Sequence, residues 1–210
     1  MDTRMESVKV FGLVDITVLA AGSMFLGEVH EPIKGTKNPQ KMLNSGIPFT
    51  KKPVAIQFDY KVKMSDREKR LRATGFSKIT DVPGKDYPAA ILLLQKRWED
   101  ANGNVYAKRI GTMVTYYYHS TDWKNNASYE IMYGDITNRP EYKAHMMRLQ
   151  ATESYTVNSK GESVPIHEVA WGDENDVPTH MYIQFTSSHG GAYIGSPGNT
   201  LWIDNVKLVY

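Results

Sequence analysis

The C-terminal stretch PTHMYIQFTSSHGGAYIGSPGNTLWIDNVKLVY (178–210) constrains this fold most. Met181, Ile183 and Phe185 alternate with Tyr182, Gln184 and Thr186, and a period of two is that of a half-buried strand. Gly190, Gly191, Gly195, Pro197 and Gly198 follow, residue types that turn a chain without strain. A second strand is expected from Leu201 to Val209, almost at the last residue. A chain that stops on a strand ties it into a sheet, since loose termini fray.

Val54–Met64 carries the same signal more cleanly. Val54, Ile56, Phe58, Tyr60, Val62 and Met64 share one face, and Ala55, Gln57, Asp59, Lys61 and Lys63 the other. That is the pattern of an antiparallel sheet with one dry side and one wet side. Upstream, Val8–Leu19 reads as one strand or two, Ser23–Val29 as a further strand, and 30–53, rich in Pro, Gly, Asn and Lys, as a long surface connection. Ala89–Trp98 reads as a central strand covered on both faces. Asn102-Gly103 marks a hairpin, from which Asn104–Ile110 returns. Val114–Tyr118 is a further strand or a turn of helix, Ser120–Ser128 a polar loop, and Tyr129–Tyr133 a short strand. Glu153–Pro165 reads as a hairpin around Lys160-Gly161, and Trp171–Pro178 as an acidic loop. Only Pro140–Gln150 has helical spacing, in Tyr142, His145, Met146 and Leu149. This pattern predicts an all-β fold: one antiparallel β-sandwich (jelly roll) over residues 1–210, with one or two short helices and termini in neighbouring strands.

The charge balance narrows the partners. Lys and Arg number 25 against 23 acids, a net charge of +2, and no basic face for nucleic acid is legible. Arg67–Arg72 is interleaved with Glu68 and preceded by Asp66, which reads as a solvated turn or short helix rather than a binding patch. Without cysteine there are no disulfides or thiolate metal sites. Val10–Gly27 is apolar but has Asp15 in its middle and lacks a basic flank. It reads as strand rather than as a leader or a membrane span, so no transmembrane segment and no export signal are visible.

Three segments carry a resemblance: AAGSMFLGEV (20–29), GIPFTKKPVAIQFDYKVKM (46–64) and the 178–210 ending. Together they resemble the putative carbohydrate metabolism domain of Bacteroidetes surface and periplasmic proteins, sometimes labelled putative glycoside hydrolases. The similarity runs from about residue 8 to 210. The closing LWIDNVKLVY is also similar to the last strand of jelly-roll carbohydrate-binding modules. The resemblance implies a β-sandwich and a periplasmic, outer-membrane or cell-surface glycan context. It brings no set of catalytic residues, and the charged 65–87 and helix-like 141–150 segments stand apart from it.

Sugar recognition needs a flat aromatic surface beside amides and carboxylates. Trp123 with Asn125, Trp171 with Asp173, and Tyr193 with His189 have that character, and the plainer reading of each ring is an anchor for its loop. Glycoside hydrolysis needs two carboxyl groups about 5 to 9 Å apart. Glu130, Asp135 and Glu168 come into view, but no pair is singled out. Asp204 shares a strand face with Trp202, Val206 and Leu208, which suggests partial burial and therefore a partner. That partner is either backbone N–H groups or a structural Ca²⁺ shared with Asp15. No H-E-x-x-H, nucleophile elbow or phosphate loop is present. The expectation is a non-catalytic carbohydrate-binding or glycan-processing accessory module. It would take an oligo- or polysaccharide and neighbouring surface proteins as partners. A hydrolase with an unrecognised acid pair and a structural or adhesive module are the alternatives.

Overall fold

A computed structural model of the chain describes residues 1–10, 14–29, 38–75, 77–146, 148–150, 153–173 and 175–210, with side chains except at 8–10, 14 and 15. The strands are β1 (Thr3–Val10), β2 (Val14–Ala21), β3 (Ser23–Phe25), β4 (Gly27–Val29), β5 (Leu43–Ser45) and β6 (Ile47–Pro48). Next come β7 (Ala55–Lys63), β8 (Arg70–Arg72), β9 (Thr80–Val82), β10 (Ala89–Glu99), β11 (Val105–Tyr116) and β12 (Thr121–Glu130). The last are β13 (Met132–Tyr133), β14 (Tyr155–Val157), β15 (Ser163–Trp171), β16 (His180–Thr186), β17 (Ile194–Gly195) and β18 (Thr200–Val209). Among the described residues the only helical element is a 3-10 turn, Pro39–Met42. No helix among them is long and apolar enough to cross a membrane.

Two unequal sheets face each other. The wide one runs β14-β15-β11-β10-β16-β3, with β13 on β11 and β6 on β16; the narrow one is β12-β7-β18. Ile56, Phe58, Val62 and Leu201 of the narrow sheet meet Ala90, Leu92, Leu94, Met113, Met181, Ile183 and Phe185 of the wide one. Both alternations legible in the sequence, from Ile56 to Met64 and from Met181 to Phe185, therefore do point into one core, whereas Val54, expected on the same face, precedes β7 and is 54% exposed. Strand β10 lies between β11 and β16, and Ala89 and Leu93 on its other face are buried too. One pair departs from the antiparallel expectation: β15 joins β11 in parallel, after a connection long enough to cross over.

Three expectations are corrected. Residues 140–146 and 148–150 form turns and irregular chain, not a helix. Their polar groups serve the wide sheet instead. The Arg148 carbonyl accepts from the Arg109 guanidinium at 3.4 Å, and the Gln150 N–H donates to Glu168 Oε2 at 2.7 Å. Ser120–Ser128 is mostly strand, not loop, because an edge strand with one face in solvent can be polar throughout. Part of the 67–72 charge run is strand β8.

Arg109 and Glu168 form a fully buried ion pair on the face of the wide sheet away from the core. Gln95 Nε2 donates to Glu168 Oε1 at 2.6 Å, and Arg97 Nε donates to Gln95 Oε1 at 2.8 Å. Each buried charge is thereby met by hydrogen bonds, the condition under which such a pair is tolerated.

The termini do adjoin: the Met1 ammonium donates to the Leu201 carbonyl at 2.8 Å, and Asp2 bridges Thr200. Asp86 fixes this corner. Its Oδ2 accepts from the Ser196 N–H at 2.8 Å and from Asn199 Nδ2 at 3.2 Å, and its Oδ1 accepts from Ser188 Oγ at 2.9 Å. Gly195 leaves the space for it, since a Cβ there would stand 2.7 Å from Ser188 Oγ. Asn199 in turn accepts from the Ser65 N–H at 2.8 Å through its side chain and from the Thr3 N–H at 2.8 Å through its carbonyl.

Asp86→Ala is expected to cost at least ~3 kcal/mol in urea unfolding, because several buried donors lose their acceptor at about 1 kcal/mol or more each; Asp86→Asn, which keeps one acceptor, should cost less. His180 supplies a pH limb. Burial, then the Arg97 charge, hold its imidazole down at about 4 against an ordinary 6.5. The unfolded chain takes up that proton first as pH falls, so this contribution is full above pH 6.5 and is lost towards pH 4. Denaturation midpoints of His180→Gln should fall less steeply over that window than those of the wild type.

Candidate functional site

Strand β7 is the middle of the narrow sheet, so its outward face is flanked on both sides. Lys61 pairs with Trp202 of β18. Leu201 fills the core, so its neighbour Trp202 faces outward and is 38% exposed. On the other flank β12 pairs Thr121 with Val62 and Lys124 with Tyr60, which leaves Asp122 and Trp123 together opposite Lys61. A bulge of this kind re-aims side chains. Trp123 is 47% exposed, and Asp122 stands free in solvent.

Lys61 spans the row. Its Nζ lies 4.0 Å from Asp122 Oδ1 and 5.8 Å from the centre of the Trp202 ring. The Thr121 and Ser120 hydroxyls accept from the Val62 and Met64 N–H groups at 3.2 and 2.9 Å, in place of ladder bonds. These residues border an open cleft of about 420 Å³.

Asp59, two residues along the same face, ties down both flanking strands. It accepts from the Asn126 N–H at 2.5 Å and from Asn205 Nδ2 at 2.7 Å. Asn126 and Asn205 have φ of 53° and 52°, a left-handed conformation that asparagine enters more readily than most residues. Each lies at a register shift, one in β12 and one in β18. The Asn205 amide first, and then the Asn126 N–H, hold the Asp59 carboxyl below its usual range. The face thus sets two open indole rings beside an ammonium, carboxylates and amides. That is the donor and acceptor set a polyol needs, next to the apolar surface its C–H groups need.

Trp123 and Asn125 fall on this face, and both are exposed. The other sequence candidates lie elsewhere. Trp171 ends β15 half-buried, its ring 5.7 Å from the Arg109 guanidinium, as an anchor would be. Asp173 accepts from the Asn175 and Asp176 N–H groups at 2.8 and 3.0 Å and shapes a turn. His189 Nδ1 accepts from the Tyr87 N–H at 3.0 Å. Tyr193, with φ of 62°, gives its carbonyl to the Ala73 N–H at 3.1 Å.

Asp204 is exposed, not partly buried, because the strand face it shares with Trp202 is the outward one; its Oδ1 accepts from the N–H of Asn205 at 2.8 Å. Asp15 pairs through its backbone with Lys9 in the β1–β2 hairpin. From the Asp2–Thr200 bridge, the chain runs one way to Lys9 and the opposite way along β18 to Asp204. The topology therefore carries the two acids apart, and the Asp15 side chain lies outside the described residues. Among the described residues no three His, Asp or Glu side chains gather as metal ligands. Of the acids considered for hydrolysis, Glu168 is locked on Arg109, Asp135 accepts from the Thr137 N–H at 2.9 Å, and Glu130 is exposed.

Trp202, Lys61, Asp59 and Asn205 do not stand out as site residues in the sequence. The alternation already put Lys61 and Asp59 on a wet face. Which residues of β18 and β12 stand beside them depends on pairing register, and one sequence does not contain that.

The model of one protein family, described as "Putative carbohydrate metabolism domain", matches residues 1–209. Among solved structures, a Bacteroides thetaiotaomicron protein described as a putative glycoside hydrolase superposes with a TM-score of 0.54 at 17% identity, over 100% of this chain and 57% of its own. A Bacteroides vulgatus protein with the same description gives 0.49 at 14% identity, over 91% of this chain and 65% of its own. The first likeness is one of fold, and this chain spans less than two thirds of either protein. No curated protein matches the sequence.

Asp59→Ala is expected to speed exchange of the Asn126 backbone N–H and of the Asn205 side-chain amide and to shift the tryptophan emission, with little change in the thermal midpoint. Exchange unchanged at both asparagines would mean that the bulges hold without the carboxylate.

Proposed function

The chain belongs to the Putative carbohydrate metabolism domain family, and on that premise we propose that it is a non-catalytic carbohydrate-binding module. Its ligand is an oligo- or polysaccharide laid on the outward face of the narrow sheet. The observation that carries this reading is the row Trp202–Lys61–Asp122, which borders a 420 Å³ cleft, with exposed Trp123 next along β12 outside the cleft lining. The indole rings stack on sugar C–H faces, and Lys61, Asp122, Asn125 and Asn205 meet hydroxyls. A hydrolase would need one carboxyl raised to act as general acid. Asp59, the best-positioned acid on this face, is held in the opposite direction.

A binding module that spans 57% of a protein described as a putative glycoside hydrolase suits the part that holds the glycan while another part acts on it. The bacterial periplasm or cell surface is the corresponding location, with neighbouring surface proteins as further partners.

Trp202→Ala and Trp123→Ala should each weaken binding about tenfold, the effect of losing ~1.4 kcal/mol of ring stacking. Calorimetry with a saccharide found on a glycan array provides the check. Both variants binding like the wild type, or an array without any bound glycan, would refute the assignment.

A further inference from the structure

The outward face of the narrow sheet carries a second cleft, at the opposite end from Trp202. Every other residue of β7 faces outward, namely Lys61, Asp59, Gln57 and Ala55, because Val62, Tyr60, Phe58 and Ile56 pack in or against the core. Their partners on β18 are Trp202, Asp204, Lys207 and Val209. On β12, Ser128 lies beside Gln57 and Glu130 beside Ala55. Both face outward, because Tyr129 between them packs against the core. Ala55 is the smallest side chain that β7 sends outward, and it stands between Glu130 and Val209. A short side chain flanked by longer ones leaves a hollow. Val54, Ala55, Ser128, Glu130, Ile131 and Tyr133 line a cleft of about 450 Å³ there. Tyr133 is fixed at its end: the hydroxyl donates to the Pro53 carbonyl at 2.7 Å, and Lys52 Nζ lies 5.2 Å from the ring centre. Val54 is 54% exposed. Apolar surface therefore meets a carboxylate and a hydroxyl here, as it does at the Trp202 end.

The two clefts lie in line along one strand. Lys61 and Ala55 stand six residues apart, which at strand spacing is about 20 Å, the length of about four linked pyranose rings. Between them the face is polar. Asp204, Asn205, Lys207 and Asn126 are exposed there, and Gln57 and Asp59 are half-buried. Such groups meet hydroxyls, and Asp59 already holds both asparagines in place. The charge on these rungs is unequal: Asp122, Asp59, Asp204 and Glu130 stand against Lys61 and Lys207. An excess of carboxylates repels a polyanionic chain.

We propose that the two clefts are the ends of one groove, which takes a linear, uncharged polysaccharide along β7 and grips about four consecutive units. The inference rests on the reading that this face binds saccharides, and it adds the ligand's length, its charge class and a far subsite. One unit stacks on Trp202 beside Lys61. The last lies over Ala55, with its hydroxyls on Ser128 and Glu130 and its C–H groups towards Val54 and Tyr133. Once the Trp202 end is occupied, the linked units are held at high local concentration over the far cleft.

The test is titration with neutral linear oligosaccharides of two to six units, taken from β-1,4-glucan, β-1,4-mannan, β-1,4-xylan and α-1,4-glucan, and with oligogalacturonates of the same lengths. Binding is read from the backbone amide and indole N–H signals. For at least one neutral series, affinity should rise tenfold or more from disaccharide to tetrasaccharide and change little from pentasaccharide to hexasaccharide. The Ser128 and Glu130 amide signals should move with the tetrasaccharide and stay in place with the disaccharide. Glu130→Ala should weaken the tetrasaccharide fivefold or more and leave the disaccharide unchanged, whereas Trp202→Ala should weaken both. A disaccharide that binds as tightly as the hexasaccharide, or Ser128 and Glu130 signals unmoved by every length, would overturn the groove and leave the Trp202 site standing. So would a branched glycan that binds at Trp202 when no linear series does. Oligogalacturonates that bind better than every neutral series would overturn the charge class. Absence of binding by any glycan, on an array or in titration, would overturn the saccharide reading itself.

Discussion

One buried carboxylate sets the register on which the rest of this structure depends. Asp86 holds Ser188, Ser196 and Asn199 together, and so it fixes where the glycine-rich loop ends and β18 begins. Asn199 passes the constraint on to Ser65 and Thr3, joining the N-terminus, the 65–87 excursion and the tail. From there Thr200 pairs with Lys63, Leu201 with Val62 and Trp202 with Lys61. A slip of one residue would turn every side chain of β18 to the other face. Trp202 would enter the core and Leu201 would face water.

The inequality of the two sheets explains why a site is left open at all. The wide sheet is covered on both faces: by the narrow sheet on one, and on part of the other by chain clamped to the Arg109–Glu168 pair. The narrow sheet has three strands, and among the described residues nothing covers its outward side. Its two outer strands are irregular, and Asp59 of the central strand meets one irregularity in each, at Asn126 and at Asn205. The polar and aromatic groups there are therefore presented by rigid backbone rather than by loops, which suits a surface that must meet a sugar without first paying an ordering cost.

Much of the fold was legible in the sequence because burial writes itself as alternation. Ile56, Phe58, Val62, Met181, Ile183 and Phe185 all point inward as their spacing requires. The terminal strand and the neighbouring termini also follow from it. What the sequence concealed was decided by long-range partners. The 140–150 segment has helical spacing, but its backbone answers to Glu168 and Arg109. The 120–128 segment reads as a loop because it is polar almost throughout, and its two bulges against β7 show only in the pairing. Of the site, Trp123 and Asn125 are legible in the sequence, while Trp202 enters there only as the strand neighbour of Asp204. The expectation for Asp204 departs from the structure for the same reason: Trp202 on its strand face reads as a core residue, but that face is the outward one.

The most direct measurement is the indole N–H region of a nitrogen–proton correlation spectrum, recorded as a saccharide is added. The chain has four tryptophans, so each reports on a different part of the surface. The signals of Trp123 and Trp202 should move together and saturate, while those of Trp98 and Trp171 stay in place. Movement confined to Trp98 or Trp171, or four signals unmoved at saturating ligand, would contradict the placement of the sugar on the narrow sheet.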